Sequence, residues 1–124
     1  MKKILVIDDS MTIVKSMEYL LKDLGYDVKI AIGSIEALII FNAYHPDLVF
    51  LDIEMPQMNG YELLKKLKEK MTLAQQIVPV IMLTGKNKQD DVIQSIKLGA
   101  TDYIVKPFDQ FQVKLKVEKL LTAA

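Results

Sequence analysis

Leu48-Val49-Phe50-Leu51 is an apolar run with no polar face, ended by Asp52 and followed by Pro56, Asn59 and Gly60. Such a run suits a strand covered on both sides, as in a parallel sheet flanked by helices. The breakers after it place the Asp52 carboxylate at the C-terminal end of a buried strand, at the lip of a loop. In open α/β sheets that edge is where ligands bind. An isolated Asp there could simply end the strand, so the rest of the chain has to decide its role.

The other segments supply the covering layers. Ile4-Leu5-Val6-Ile7 is a second apolar run, closed by Asp8-Asp9-Ser10, and Ser10 suits the N-cap of a helix. Val14, Met17, Leu21 and Leu24 then recur at helical spacing up to Gly25. Tyr26 to Ala31 alternates as a strand. A second helix opens at Gly33-Ser34, with Ala37, Ile40, Phe41 and Tyr44 on one face, and His45-Pro46 stops it. After Gly60 a third helix turns Leu64, Leu67 and Met71 inward and Lys65, Lys66, Lys68 and Glu69 outward. Pro79 to Leu83 is a further apolar run, ending at Thr84-Gly85. Lys88 to Leu98 reads as a helix with Val92, Ile93 and Ile96 facing in and Gly99 as its stop. Asp102 to Val105 is a short strand closed by Lys106-Pro107.

The segment from Asp109, a candidate N-cap, to Leu121 carries two periods. Val113, Leu115 and Val117 alternate with lysines, while Val113, Val117, Leu120 and Leu121 follow a helix. Length and position favour helix, which leaves Phe111 and Leu115 off the core face as an exposed apolar patch. The result is a (βα)5 α/β fold, a doubly wound five-stranded parallel sheet with right-handed crossovers. The strand order 2-1-3-4-5 is borrowed from known five-strand folds of this kind.

The 124 residues make one domain, without linker, repeat or low-complexity tract. Sixteen basic and sixteen acidic residues balance, so no net field draws the chain to nucleic acid or anionic lipid. With no cysteine there is no disulfide, thiolate metal site or thiol nucleophile. The apolar run after Lys2-Lys3 is too short for a signal peptide or membrane span, and the expected location is cytoplasmic. His45 is the single histidine and reads as a surface residue; the methionines read as packing.

In a parallel sheet the ends at Asp8-Asp9, Asp52, Thr84-Gly85 and Lys106-Pro107 share one edge. Each has a bland reading alone, as a helix cap or a solvated charge. Together they bring carboxylates, a hydroxyl and an ammonium to one place. Clustered carboxylates repel, and without a cation at least one pKa rises. Mg²⁺, a hard ion that suits a few carboxylates plus phosphate, removes the problem. An Asp carboxylate is then a feasible nucleophile toward phosphorus, with Lys106, Thr84 and the Gly85 N–H as stabilisers of phosphoryl charge.

On these residues the chain resembles a receiver domain of a two-component response regulator, closest to the stand-alone, chemotaxis-type regulators. The likeness covers the whole length. Its motifs are Asp8-Asp9-Ser10, Leu51 to Pro56 through Met58-Asn59-Gly60, Leu83-Thr84-Gly85, Gly99 to Tyr103, and Lys106-Pro107-Phe108. The resemblance implies that Asp52 accepts a phosphoryl group from a histidine kinase or histidine phosphotransfer protein. It implies Mg²⁺ on Asp9, Asp52 and the Glu54 carbonyl, with Asp8 acting through water. It makes Lys106 the phosphoryl holder, with a cis bond to Pro107, and Thr84 and Tyr103 the switch pair. The domain would assist its own phosphorylation and dephosphorylation without being an enzyme otherwise. The signal would pass through the fourth helix, fifth strand and fifth helix to a downstream protein target, or to phosphorylation-linked homodimerisation through the Phe111–Leu115 patch. No output domain, direct nucleic-acid contact or membrane contact is expected.

Two departures stand out. Gly85 replaces the alanine common after the switch threonine. Glu54 and Lys86, two positions after Asp52 and Thr84, are an expected ion pair across the route of attacking water, altering the lifetime of the phosphorylated state. Two other functions stay open at this point. One is a Mg²⁺-dependent small-molecule phosphatase resembling the haloacid dehalogenase family, although the order of its acidic residues is reversed there and no cap is present. The other is an unphosphorylated receiver-like binding module. A flavin-binding, flavodoxin-like protein fits the fold, but Asp8-Asp9-Ser10-Met11 would repel the cofactor phosphate.

Overall fold

Each apolar run forms a strand and each segment of helical period a helix, in strict alternation. The computed structural model describes residues 1–55, 59–85 and 89–122. The elements are β1 (Lys3–Ile7), α1 (Met11–Asp23), β2 (Asp27–Ala31), α2 (Ser34–Tyr44), β3 (Leu48–Asp52), α3 (Gly60–Ala74), β4 (Val80–Thr84), α4 (Gln89–Lys97), β5 (Asp102–Val105) and α5 (Gln110–Thr122). The expected roles of Pro56, Met58, Lys86 and Lys88 lie outside the described residues.

The five strands are parallel and ordered β2-β1-β3-β4-β5, as expected. Alternate side chains feed two cores. Leu5, Ile7, Val49, Leu51, Val80 and Met82 pack with α2 and α3 residues such as Phe41 and Leu64. Ile4, Val6, Phe50, Ile81, Leu83 and Ile104 pack with Val14 and Met17 of α1 and with Val113 and Val117 of α5. Every residue of β3 and β4 is buried. That explains why neither sequence carries a polar face.

The helix ends follow local chemistry. Ser10 caps α1 by accepting from the Ile13 N–H, and Asn59 caps α3 by accepting from the Glu62 N–H. Asp109 accepts from the Phe111 N–H at 2.9 Å, just before α5. The last segment is helical, with Val113 and Val117 buried and Phe111 and Leu115 exposed. Leu120 and Leu121 pack against the same core while Leu115 stays exposed, which is the helical pattern and not the alternating one.

The inward face of α4 differs from expectation. Ser95 is buried and Val92 half-buried, whereas Ile93 and Ile96 are 54% and 46% exposed. A serine can sit inside because its hydroxyl donates to the Asp91 carbonyl at 2.7 Å. The helix is therefore rotated relative to its apolar stripe. Lys68, expected outward, is half-buried and lies against Gly99.

Candidate functional site

The sheet register brings the predicted edge together. Asp52 is paired with Leu83 and Thr84 with Val105, so β3, β4 and β5 end side by side. The Asp8 N–H donates to the Ala31 carbonyl at 3.1 Å, which extends β1 by one residue and carries the Asp8 side chain into the site. The Asp8 carboxylate in turn accepts from the Ser10 N–H at 3.0 Å. On the other flank the Lys106 N–H donates to the Thr84 carbonyl at 2.7 Å, and the Lys106–Pro107 bond is cis.

The turn after Asp52 depends on Gly60. Its N–H donates to the Ile53 carbonyl at 2.7 Å, and a β-carbon there would lie 2.6 Å from Ile53 Cα and closer still to the Asp52 carbonyl. Only glycine fits this approach. Gly60 is thereby held against the strand end, and the Glu54 N–H lies 3.3 Å from Asp52 Oδ1.

Within this frame the Lys106 ammonium lies 2.7 Å from Asp8 Oδ2 and 3.1 Å from Asp52 Oδ1. Asp8 and Asp52 are buried and Asp9 is exposed. Burial and the neighbouring Asp8 charge push the Asp52 carboxyl up to about 7, against the opposing pull of Lys106. Burial disfavours the Lys106 charge, but the two carboxylates outweigh it and hold the ammonium above its ordinary range. The site is thus short of positive charge even with its lysine in place.

Asp8, Asp9 and Asp52 each offer an oxygen within 4.8 Å of the others. Apart from the Lys106 ion pair, the buried Asp8 Oδ2 has no hydrogen-bond partner among the described residues. An all-oxygen donor set with one orphaned buried oxygen fits a hard divalent cation. Glu54 sits exposed at the same rim; Lys86, its expected partner, lies outside the described residues.

Thr84 is buried, and its hydroxyl is turned to the Gly85 carbonyl at 3.4 Å rather than to Asp52. Tyr103 is 38% exposed and faces outward. A cavity of about 510 Å³ separates the two, lined by Thr84, Gly85, Val92, Ile93, Tyr103 and Val105. Lys116 of α5 lies beside Tyr103 in this arrangement. Its ammonium is 2.8 Å from Asp102 Oδ1 and 5.4 Å from the Tyr103 ring centroid. Sequence reasoning missed Lys116, because nothing marks one lysine among Lys114, Lys116 and Lys119 until the rotation of α5 is known. It also missed the Tyr61 hydroxyl, which donates to Asp91 Oδ1 at 2.6 Å. A tyrosine two residues after the Asn59 cap carries no signal for a partner 30 residues on.

The parallel sheet in the order β2-β1-β3-β4-β5, with its acidic edge, defines an α/β protein of the flavodoxin-like layout. Residues 4–118 match the response regulator receiver domain, and the chain belongs to that family. It is 40% identical over 120 residues to the probable transcriptional regulator ycf27 of Cyanophora paradoxa, covering 97% of this chain and 48% of that protein. It is 38% identical over 120 residues, with the same coverage, to the alkaline phosphatase synthesis transcriptional regulatory protein PhoP of Bacillus subtilis. The chain therefore spans about half the length of these curated relatives. Among solved structures, Vibrio cholerae chemotaxis protein CheY4 superposes with a TM-score of 0.89 at 29% identity, over 97% of this chain and 98% of that one. The receiver domain of NtrX from Brucella abortus gives 0.88 at 32%, over 98% and 99%. The receiver domain is the part that the chain shares with these regulators. Membership in this family sets aside the phosphatase and the flavin protein. No helix among the described residues is long and apolar enough to cross a membrane.

Proposed function

We propose that Asp52 is the phosphoacceptor and that a histidine kinase or histidine phosphotransfer protein is the donor. The observation that carries this reading is the Asp52–Lys106 pair: a buried carboxylate with its pKa pushed up, 3.1 Å from an ammonium, at the mouth of the sheet. A carboxylate oxygen of Asp52 attacks phosphorus as the phosphorus–nitrogen bond of the phosphohistidine breaks. The imidazole leaves with the bond's electron pair and takes up a proton. Lys106 follows the negative charge from the carboxylate to the phosphoryl oxygens. The Thr84 hydroxyl, held among the described residues by its long bond to the Gly85 carbonyl, turns to donate to a phosphoryl oxygen, and the Gly85 N–H is a further donor. Asp9, Asp52 and the Glu54 carbonyl would hold Mg²⁺, with Asp8 acting through water. When bound, that ion neutralises charge on the transferring group.

A phosphoryl group brings roughly −1.5 to −2 charge and strong acceptors. As Thr84 turns toward it, the adjoining cavity becomes available to the Tyr103 ring. The surface of α4, β5 and α5 changes accordingly and is read by a downstream protein. Phe111 and Leu115, 65% and 50% exposed on that surface, support phosphorylation-linked self-association. Any link to nucleic acid would run through parts such as those by which the transcriptional relatives exceed this chain. Incubation with acetyl phosphate and Mg²⁺, followed by intact-mass measurement, tests the reading. One phosphoryl adduct, absent in Asp52→Asn and without Mg²⁺, is the expected result; no adduct, or an adduct on the variant, overturns it.

A further inference from the structure

Apolar packing holds α4 less firmly than its neighbours. Among the described residues Ser95 is its buried side chain, whereas α3 buries Leu63, Leu64 and Leu67 completely. The polar contacts are correspondingly prominent. Tyr61, in the first turn of α3, donates its hydroxyl to Asp91 Oδ1 in the first turn of α4 at 2.6 Å. A hydrogen bond to a carboxylate is of the stronger, charge-assisted kind, and Asp91 also sits where the α4 dipole favours an anion. Two turns along α3, Lys68 lies across the other end of α4, its Cε 2.9 Å from where a β-carbon on Gly99 would stand. The β5 side of α4 is different. There Val92 and Ile93 border the cavity of about 510 Å³ shared with Thr84 and Tyr103.

We propose that the Tyr61–Asp91 hydrogen bond is the clasp that sets where α4 sits, and that Tyr61 is thereby a positioning residue for the phosphoryl site. The inference rests on the reading of Asp52 as phosphoacceptor. Val92 and Ile93 of α4 line the same cavity as Thr84 and Gly85, so the place of α4 and the place of these donors are linked. The clasp coexists with a Thr84 hydroxyl turned to Gly85 and a Tyr103 ring facing outward. A phosphoryl group on Asp52 calls for the opposite placement of both. Contacts present in one arrangement and lost in the other bias the balance between them. Opening the clasp frees α4 to settle toward the cavity and favours the phosphoryl-holding arrangement.

Tyr61→Phe removes the hydroxyl and keeps the ring. It is expected to bind the phosphoryl mimic beryllofluoride, with Mg²⁺, about three- to tenfold more tightly than the native protein, the range one hydrogen bond supplies. Amide exchange should quicken in α4 while α1 and α5 stay unchanged. In an Asp91→Ala background, Tyr61→Phe should add nothing. Unchanged beryllofluoride affinity, or exchange that quickens equally in α1 and α5, overturns the clasp. A native protein that takes neither beryllofluoride nor a phosphoryl adduct instead overturns the reading of Asp52, and this inference with it.

Discussion

Lys106 Nζ is shared between Asp8 and Asp52, at 2.7 and 3.1 Å, so one ammonium answers two buried carboxylates. Removing it as Lys106→Met leaves two buried carboxyls without their cation, and Asp52, already pushed up to about 7, then holds its proton more tightly. Without divalent ions the variant should lose about 1–3 kcal/mol of stability at neutral pH, less than for a fully buried pair because Lys106 is partly exposed. Millimolar MgCl₂ should recover more stability in the variant than in the native protein, since the ion no longer competes with an ammonium. Thermal unfolding with and without MgCl₂ measures both effects; equal gains from Mg²⁺ would show that Lys106 and the ion do not share the site.

The raised Asp52 carboxyl makes stability depend on pH in a defined direction. Its ordinary value is 3.8 and its folded value about 7. Between these the folded protein keeps a proton that the unfolded chain has lost, so metal-free stability falls as pH rises through that window. Asp52→Asn removes the effect. The variant should be more stable than the native protein at pH 8 by about 1–2 kcal/mol, and the gap should close toward pH 4. Urea unfolding in EDTA across this range is the check, and a gap that widens on acidification would contradict the assignment.

Gly60→Ala tests the loop geometry directly. The new methyl group meets the Asp52 carbonyl and Ile53 Cα, backbone atoms that cannot rotate aside. A loss of about 1–3 kcal/mol is expected, accompanied by slower phosphorylation by acetyl phosphate because the strand end carrying Asp52 must shift. Native rates in a destabilised variant would show that the clash is absorbed away from Asp52.

Much of this site was legible in the sequence because its parts lie at strand ends. A run such as Leu48 to Leu51 fixes both a buried strand and the point where Asp52 leaves it, and a parallel sheet puts all such points on one edge. Helix rotation was less legible. In α4 the apolar stripe suggested Ile93 and Ile96 inside, yet Ser95 is buried because a hydroxyl bond to the Asp91 carbonyl satisfies it. A long polar side chain is harder still. Lys68 was read as outward, but its stem lies against Gly99. Tyr61 and Lys116 act across elements, on partners that only the packed structure brings near.

The exposed Leu115 offers a test of self-association. Leu115→Glu places a charge in the middle of the apolar surface of α5 without touching Val113 or Val117, which face the core. Stability should stay within about 0.5 kcal/mol of native. If beryllofluoride drives the native protein to dimerise through this face, the variant should remain monomeric by sedimentation. A variant that dimerises normally places the interface elsewhere.

Tyr103 and Lys116 form the last testable pair. The Lys116 ammonium engages the Tyr103 ring and the Asp102 carboxylate together. This contact favours the outward ring, whereas the proposed active arrangement draws the ring toward the cavity beside Thr84. Lys116→Met keeps a stem of similar length and deletes the charge. Losing a cation–π contact of about 0.5–1 kcal/mol should tighten beryllofluoride binding roughly two- to fivefold. Fluorotyrosine NMR should show the Tyr103 resonance moving toward its beryllofluoride-bound position before any ligand is added. Tyr103→Phe keeps the ring and should respond to Lys116→Met in the same direction, because the ammonium acts on the ring face and not on the hydroxyl. A Lys116→Met protein with native affinity and an unmoved resonance would mean that Tyr103 is held outward by its backbone rather than by α5.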